Sequence, residues 1–109
     1  MSIWLDSILA RTRTAYSTLP LQVKYAKALE LRGYQHLDTK GRYVVYTAVI
    51  AASKIYIGLS GSVRIGYNRT TSRPMQDIHK KQLIEEFNAW AHTQLQDKQK
   101  DTPITMISL

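Results

Sequence analysis

The chain of 109 residues contains no cysteine. Disulfide staples and thiolate metal sites are thereby excluded, and a reducing compartment is the expectation. Long apolar runs are also missing, since nothing approaches the ~18 residues of a membrane-spanning helix. The N-terminal MSIWLDSILARTR places its apolar residues ahead of its basic ones and carries Asp6. A secretory signal has the opposite order, so no export signal is read and the expectation is a cytoplasmic protein with no membrane partner. Internal repeats and low-complexity runs are absent.

Catalytic signatures are missing too. There is no G-x-S-x-G elbow and no cysteine nucleophile. Of the three histidines, His79 and His92 stand thirteen residues apart, too far for a metal pair on one helix. No catalytic residue, metal site or cofactor is assigned.

Acidic residues are scarce, eight against fifteen Lys and Arg, and unevenly placed. Residues 1–76 net +8, whereas residues 77–109 net −1. Between Asp38 and Asp77 there is no acid, and Lys40, Arg42, Lys54, Arg64, Arg69 and Arg73 all fall there. A field of one sign attracts polyanions through counterion release, or steers an acidic protein surface into contact.

What remains is enough for one small α+β domain with a 44% apolar fraction. Ser2 can cap a helix running to about Tyr16, with Trp4, Leu5, Ile8 and Leu9 at helical spacing. STLP breaks it, and a second helix fits Leu21 to Arg32, stopping at Gly33. Its apolar stripe is Leu21, Tyr25, Ala28 and Leu29, with Lys24, Lys27 and Arg32 turned mostly away. These two helices make an N-terminal helical hairpin.

From Tyr34 the composition turns to β-structure. LDTKG (37–41) reads as a turn, RYVVYTAVI (42–50) as a strand, and KIYIGLSGSVRIGYNR (54–69) as a hairpin. The expectation is a three-stranded antiparallel sheet, with a fourth short strand near Tyr34 to Leu37. SRPMQD (72–77) restarts a helix with Pro74 in its first turn, extending to about Leu95. That helix packs on the sheet through Leu83, Ile84, Phe87, Trp90 and Ala91. Residues 96–109 are read as a polar linker, QDKQKD, and an apolar tail, PITMISL. The tail is expected to dock as an edge strand or on the core, or to pair across a homodimer.

The hairpin register follows from its faces. A loop of Ser60-Gly61-Ser62 opposes Leu59 to Val63, Ile57 to Ile65 and Ile55 to Tyr67, making one face apolar throughout. Against this register, glycine normally sits last in such a loop, not centrally. The other face then carries Lys54, Tyr56, Gly58, Arg64 and Gly66. Glycine inside a strand marks a bulge or a close backbone approach. The spacing matches no phosphate loop, and the glycines do not join a strand to a helix. YNRTTSRP (67–74) is the better anion candidate, with Arg69, Arg73 and four hydroxyl or amide side chains ahead of the expected helix start. Ordinary helix capping accounts for those side chains equally well.

The resulting expectation is a small, basic, non-enzymatic protein that binds DNA or RNA. Lys40, Arg42, Lys54, Arg64, Arg69 and Arg73 would hold phosphates, and Tyr56 would stack on a base. The alternative is an interaction module or inhibitor that uses the same cations against an acidic surface of a nucleic-acid-handling complex. An enzymatic alternative is a metal-independent ribonuclease built from His36, Tyr56, Arg64, Arg69 and Arg73.

Overall fold

A computed structural model describes residues 3–12, 16–48 and 52–107, with side chains described through Leu95. Three helices, α1 (Ile3–Arg11), α2 (Leu21–Leu31) and α3 (Asp77–Ile107), accompany five strands. These are β1 (Gln35–Lys40), β2 (Tyr43–Thr47), β3 (Lys54–Gly58), β4 (Val63–Gly66) and β5 (Arg73–Pro74). The strands follow one another in sequence order as an antiparallel meander. The α+β class, the helical N-terminus, the antiparallel sheet and the C-terminal helix all match the sequence reading. The sheet is larger than expected: the short fourth strand is real, and a fifth follows β4.

The helices cover one face of the sheet. Val44, Tyr46, Ile55, Ile57 and Val63 form one buried cluster with Leu5, Val23, Leu29, Leu83 and Phe87. α2 is fixed to the sheet by the buried Gln22, whose Nε2 donates to the carbonyls of Ile57 (2.9 Å) and Arg42 (3.1 Å). It ends as predicted at Gly33, whose φ of +96° suits a residue without Cβ. The Gly33 N–H donates to Glu30 O and the Tyr34 N–H to Leu29 O, which closes the last turn. Lys27 does not face away as the spacing suggests. It is 8% exposed, and its Nζ lies 4.7 Å from the Trp90 ring centroid on α3. The Trp90 face packs against the Lys27 ammonium where α2 meets α3. Leu21, placed in the stripe, is exposed.

Several boundaries move for identifiable reasons. α1 ends at Arg11, where Thr12 turns back on Leu9 O and Ile8 O, and Tyr16–Thr18 forms a separate 3₁₀ turn. Ser2, the expected cap, the last two residues of the expected 42–50 strand and residue 51 lie outside the described residues. LDTKG is mostly strand; the turn is Gly41-Arg42, with Gly41 first at φ +61°. Pro74 belongs to β5 and not to a helix. Proline lacks an N–H, which an edge strand tolerates, and pairing continues through Met75 N–H to Val63 O at 2.8 Å. α3 therefore starts at Asp77. It also passes through the expected linker, since 96–101 is helical and the helix reaches Ile107. Gln and Lys are good helix formers, so a polar run need not end a helix that is already nucleated.

The hairpin register is two residues away from the expected one. Ile55 pairs with Ile65, Tyr56 with Arg64 and Ile57 with Val63. The loop is Leu59-Ser60-Gly61, closed by Gly58 N–H to Ser62 O (2.9 Å), with Gly61 last at φ +93°. Glycine takes the left-handed position that a three-residue hairpin reserves for it. A shift of two preserves the faces, so Ile55, Ile57 and Val63 still point into the core. Leu59 and Tyr67, expected inwards, are 58% and 70% exposed because they fall beyond the paired residues.

One surface pair ties α2 to α3. Arg32 Nε and Nη2 donate to the two carboxylate oxygens of Glu86 at 2.8 and 2.6 Å. Those hydrogen bonds hold the Glu86 carboxyl below its usual range and raise Arg32. A depressed carboxylate contributes stability above its unfolded pKa and loses it as pH falls through the folded value. Both side chains are well exposed, so solvent limits the effect to about 0.5 kcal/mol. Thermal denaturation of Glu86→Gln should show a Tm that falls less than wild type between about pH 5 and 3.

Candidate nucleic-acid interface

The face of the sheet away from the helices is where the strands' alternate residues must go. Val45, Tyr56 and Tyr43 stand together there, because Val45 pairs with Tyr56 and, two register positions along, Tyr43 pairs with Gly58. Tyr43 and Tyr56 meet edge to face, centroids 6.1 Å apart. Residues 67–72, returning from β4, fold back beside this face.

That return is held by a short chain of hydrogen bonds. Arg64 Nε donates to Ser72 Oγ (2.9 Å) and Nη2 to Ser72 O (2.5 Å). Ser72 Oγ donates in turn to Arg69 O at 2.7 Å. Asn68 Oδ1 accepts from Thr71 N–H and Thr71 Oγ, tightening the same turn. Gly66 permits the approach, because a Cβ there would lie 2.7 Å from Ser72 Cα. The close backbone approach that a strand glycine signals is thus made by the protein's own loop. With its backbone fixed, Arg69 lays its guanidinium over Tyr43, Cζ 4.5 Å from the ring centroid.

Between loop and strands lies a cleft of about 330 Å³, lined by Leu37, Asp38, Lys40, Tyr43, Val45, Lys54, Tyr56, Asn68 and Arg69. Three cations from three separate segments, β1, β3 and the loop, face one carboxylate over an aromatic and aliphatic floor. Such a concavity suits an anionic ligand with a flat or apolar part.

Four of the seven residues singled out by sequence line this cleft: Lys40, Lys54, Tyr56 and Arg69. Tyr56 is only 7% exposed and forms part of the floor, so it offers an edge more than an open stacking face. Arg64 is not in the lining, and both of its described bonds go to Ser72, inside the fold. Arg42 is exposed in the β1–β2 turn, where its carbonyl accepts from Gln22 Nε2 and Leu59 N–H. Arg73 is exposed on β5, and the loop before it leads into a strand, not directly into a helix. His36 lies on the helix side between Trp4 (centroids 5.9 Å) and Tyr46 (5.5 Å). The sheet separates it from Tyr56 and Arg69, so the five residues of the ribonuclease alternative do not form one constellation.

Sequence reasoning passed over Leu37, Asp38, Tyr43 and Val45, whereas Asn68 belongs to the 67–74 loop already singled out for anions. Tyr43 and Val45 were within reach, since they share the period-2 face of Tyr56. Leu37 was not: it is the extra residue of a bulge between His36 and Asp38, which turns it outwards.

Among the described residues no cluster of His, Cys, Asp or Glu could hold a metal ion, and no helix is long and apolar enough to cross a membrane. No protein-family model matches the chain, and no curated protein or solved structure shows significant similarity to it.

Proposed function

We propose that this protein is a nucleic-acid-binding module whose contact surface is the cleft on the open face of the sheet. One observation carries the reading. Lys40, Lys54 and Arg69 converge from three segments on a single concavity with an apolar floor. Seven of its nine lining residues come from 39–76, the part of the chain that has no acid, and Asp38 is the one carboxylate of the lining. Phosphates would lie against these cations, with Arg42 and Arg73 extending the field beyond the cleft. No step of chemistry is assigned to it, and a cytoplasmic setting suits a chain without cysteine.

Fluorescence anisotropy with labelled oligonucleotides over a salt series tests the proposal. Three phosphate contacts on a single strand give a slope of log K against log salt of about −2. Lys40→Ala with Lys54→Ala should make that slope shallower by about one to one and a half units. No retention of DNA or RNA at low salt overturns the reading. In that event an acidic protein partner, copurifying stoichiometrically after nuclease treatment, becomes the explanation of the same cations.

A further inference from the structure

Arg69 differs from the other cations of the cleft in how it is held. Its backbone carbonyl is gripped by Ser72, which Arg64 holds from behind, and its guanidinium lies on the Tyr43 ring. Tyr43 is itself buttressed edge-on by Tyr56. A lysine or a free arginine making only phosphate contacts needs no such support. The Arg69 guanidinium carbon sits over the Tyr43 ring, while Arg69 as a whole remains exposed on the cleft wall. The side of the guanidinium away from Tyr43 is a flat, cationic surface, and the ring contact favours one placement of it before a ligand arrives.

A flat cation of this kind matches the π-face of a nucleobase, and its in-plane N–H groups match phosphate oxygens. Only an unpaired base can use it. In a duplex both faces of every base are occupied by neighbours, and exposing one requires unstacking. The apolar floor leads to the same conclusion. Leu37, Val45 and Tyr56 add nothing to a purely electrostatic grip on a duplex backbone, but they desolvate well against a base lodged beside Arg69.

We infer that the cleft takes single-stranded nucleic acid, with one unpaired base stacked on Arg69 in a Tyr43–Arg69–base sandwich. This rests on the nucleic-acid reading above. Arg69 then serves as the stacking platform, and Arg64, Ser72 and Tyr43 are positioning residues. Lys40 and Lys54 hold the flanking phosphates.

The decisive comparison uses a labelled single strand, the same strand with abasic sites, and the corresponding duplex, all at one low salt concentration. Wild type should bind the base-bearing strand about ten-fold or more tighter than the abasic strand, and tighter than the duplex. Arg69→Lys keeps the charge and loses the plane. It should retain the abasic affinity while the preference for bases collapses to within about two-fold. Tyr43→Leu should do the same by removing the support, whereas Tyr43→Phe should behave as wild type. Circular dichroism melts confirm that each variant is folded. Equal binding of base-bearing and abasic strands by wild type, or a preference that survives Arg69→Lys, overturns the stacking inference and leaves the nucleic-acid reading intact. Absence of binding to all three probes overturns both.

Discussion

Phe87→Ala is expected to remove about 3–5 kcal/mol of folding stability, the largest loss from any single truncation considered. Phe87 is fully buried at the junction of α2, α3 and the 3₁₀ turn. Its ring meets Tyr16 edge-on (centroids 6.5 Å, 87°) and Trp90 at 5.7 Å. Tyr16 and Trp90 are themselves 5.2 Å apart, so three aromatic rings close on one another. Trp90 also receives the Lys27 ammonium. Removing the central ring leaves a cavity that its rigid neighbours cannot fill by small rotations, and it loosens the ring on which the Lys27 ammonium packs. A domain of this size holds roughly 5–15 kcal/mol in total, so the loss is a large share of it. The corresponding drop in Tm is on the order of 20 °C. Phe87→Leu, which keeps much of the volume, should cost less than about 1.5 kcal/mol. Urea denaturation measures both. Because the cleft lies on the far side of the sheet, folded Phe87→Ala should bind oligonucleotides as wild type does. A loss near that of Phe87→Leu would show that the aromatic cluster is not the keystone of the helical layer.

How much of this was legible beforehand depends on how local each determinant is. The faces of the β3–β4 hairpin were readable because alternation is a property of the strand itself. Any even shift of register leaves Ile55, Ile57 and Val63 inwards. The register itself turned on one local rule, glycine last in a three-residue loop. Face segregation alone favoured a loop one residue too late, because it gave Leu59 and Tyr67 inward places that they do not occupy. Lys27 and Tyr56 could not be placed by any local rule. Lys27 is buried because Trp90, sixty-three residues away in sequence, offers its ring. Tyr56 is buried beside a tyrosine on another strand and a loop from the far side of β4. The basic character of the site was visible in the absence of acid from 39 to 76, but not the division of labour within it. Among the arginines, Arg69 faces the cleft while Arg64 holds the loop. That difference arises from Ser72, a residue whose hydroxyl read equally well as a helix cap.

The loop's dependence on one missing side chain leads to a second large effect, at Gly66. A Cβ at this position lies 2.7 Å from Ser72 Cα, 3.1 Å from Ser72 Cβ and 3.2 Å from Ser72 N. Two of these three atoms are backbone, so no rotamer change relieves the overlap and the 67–72 return has to move. Overpacking of this kind costs about 1–3 kcal/mol, only partly offset by alanine's smaller loss of backbone entropy in a strand. Gly58→Ala is the matched control, since its nearest neighbour is the Ser62 hydroxyl at 2.6 Å, which a side-chain rotation can move away. Gly66→Ala should therefore destabilise by at least about 1 kcal/mol more than Gly58→Ala in urea denaturation. The displaced Ser72 also releases the Arg69 carbonyl and shifts the hydroxyl that Arg64 grips. Arg69 then loses its fixed place over Tyr43. Gly66→Ala should weaken single-strand binding several-fold although Gly66 does not line the cleft, and Gly58→Ala should leave it unchanged. Equal stability and equal binding in the two variants would break the chain of cause from Gly66 through Ser72 to Arg69. A stability loss without a binding loss would keep the packing argument but remove the loop from the site.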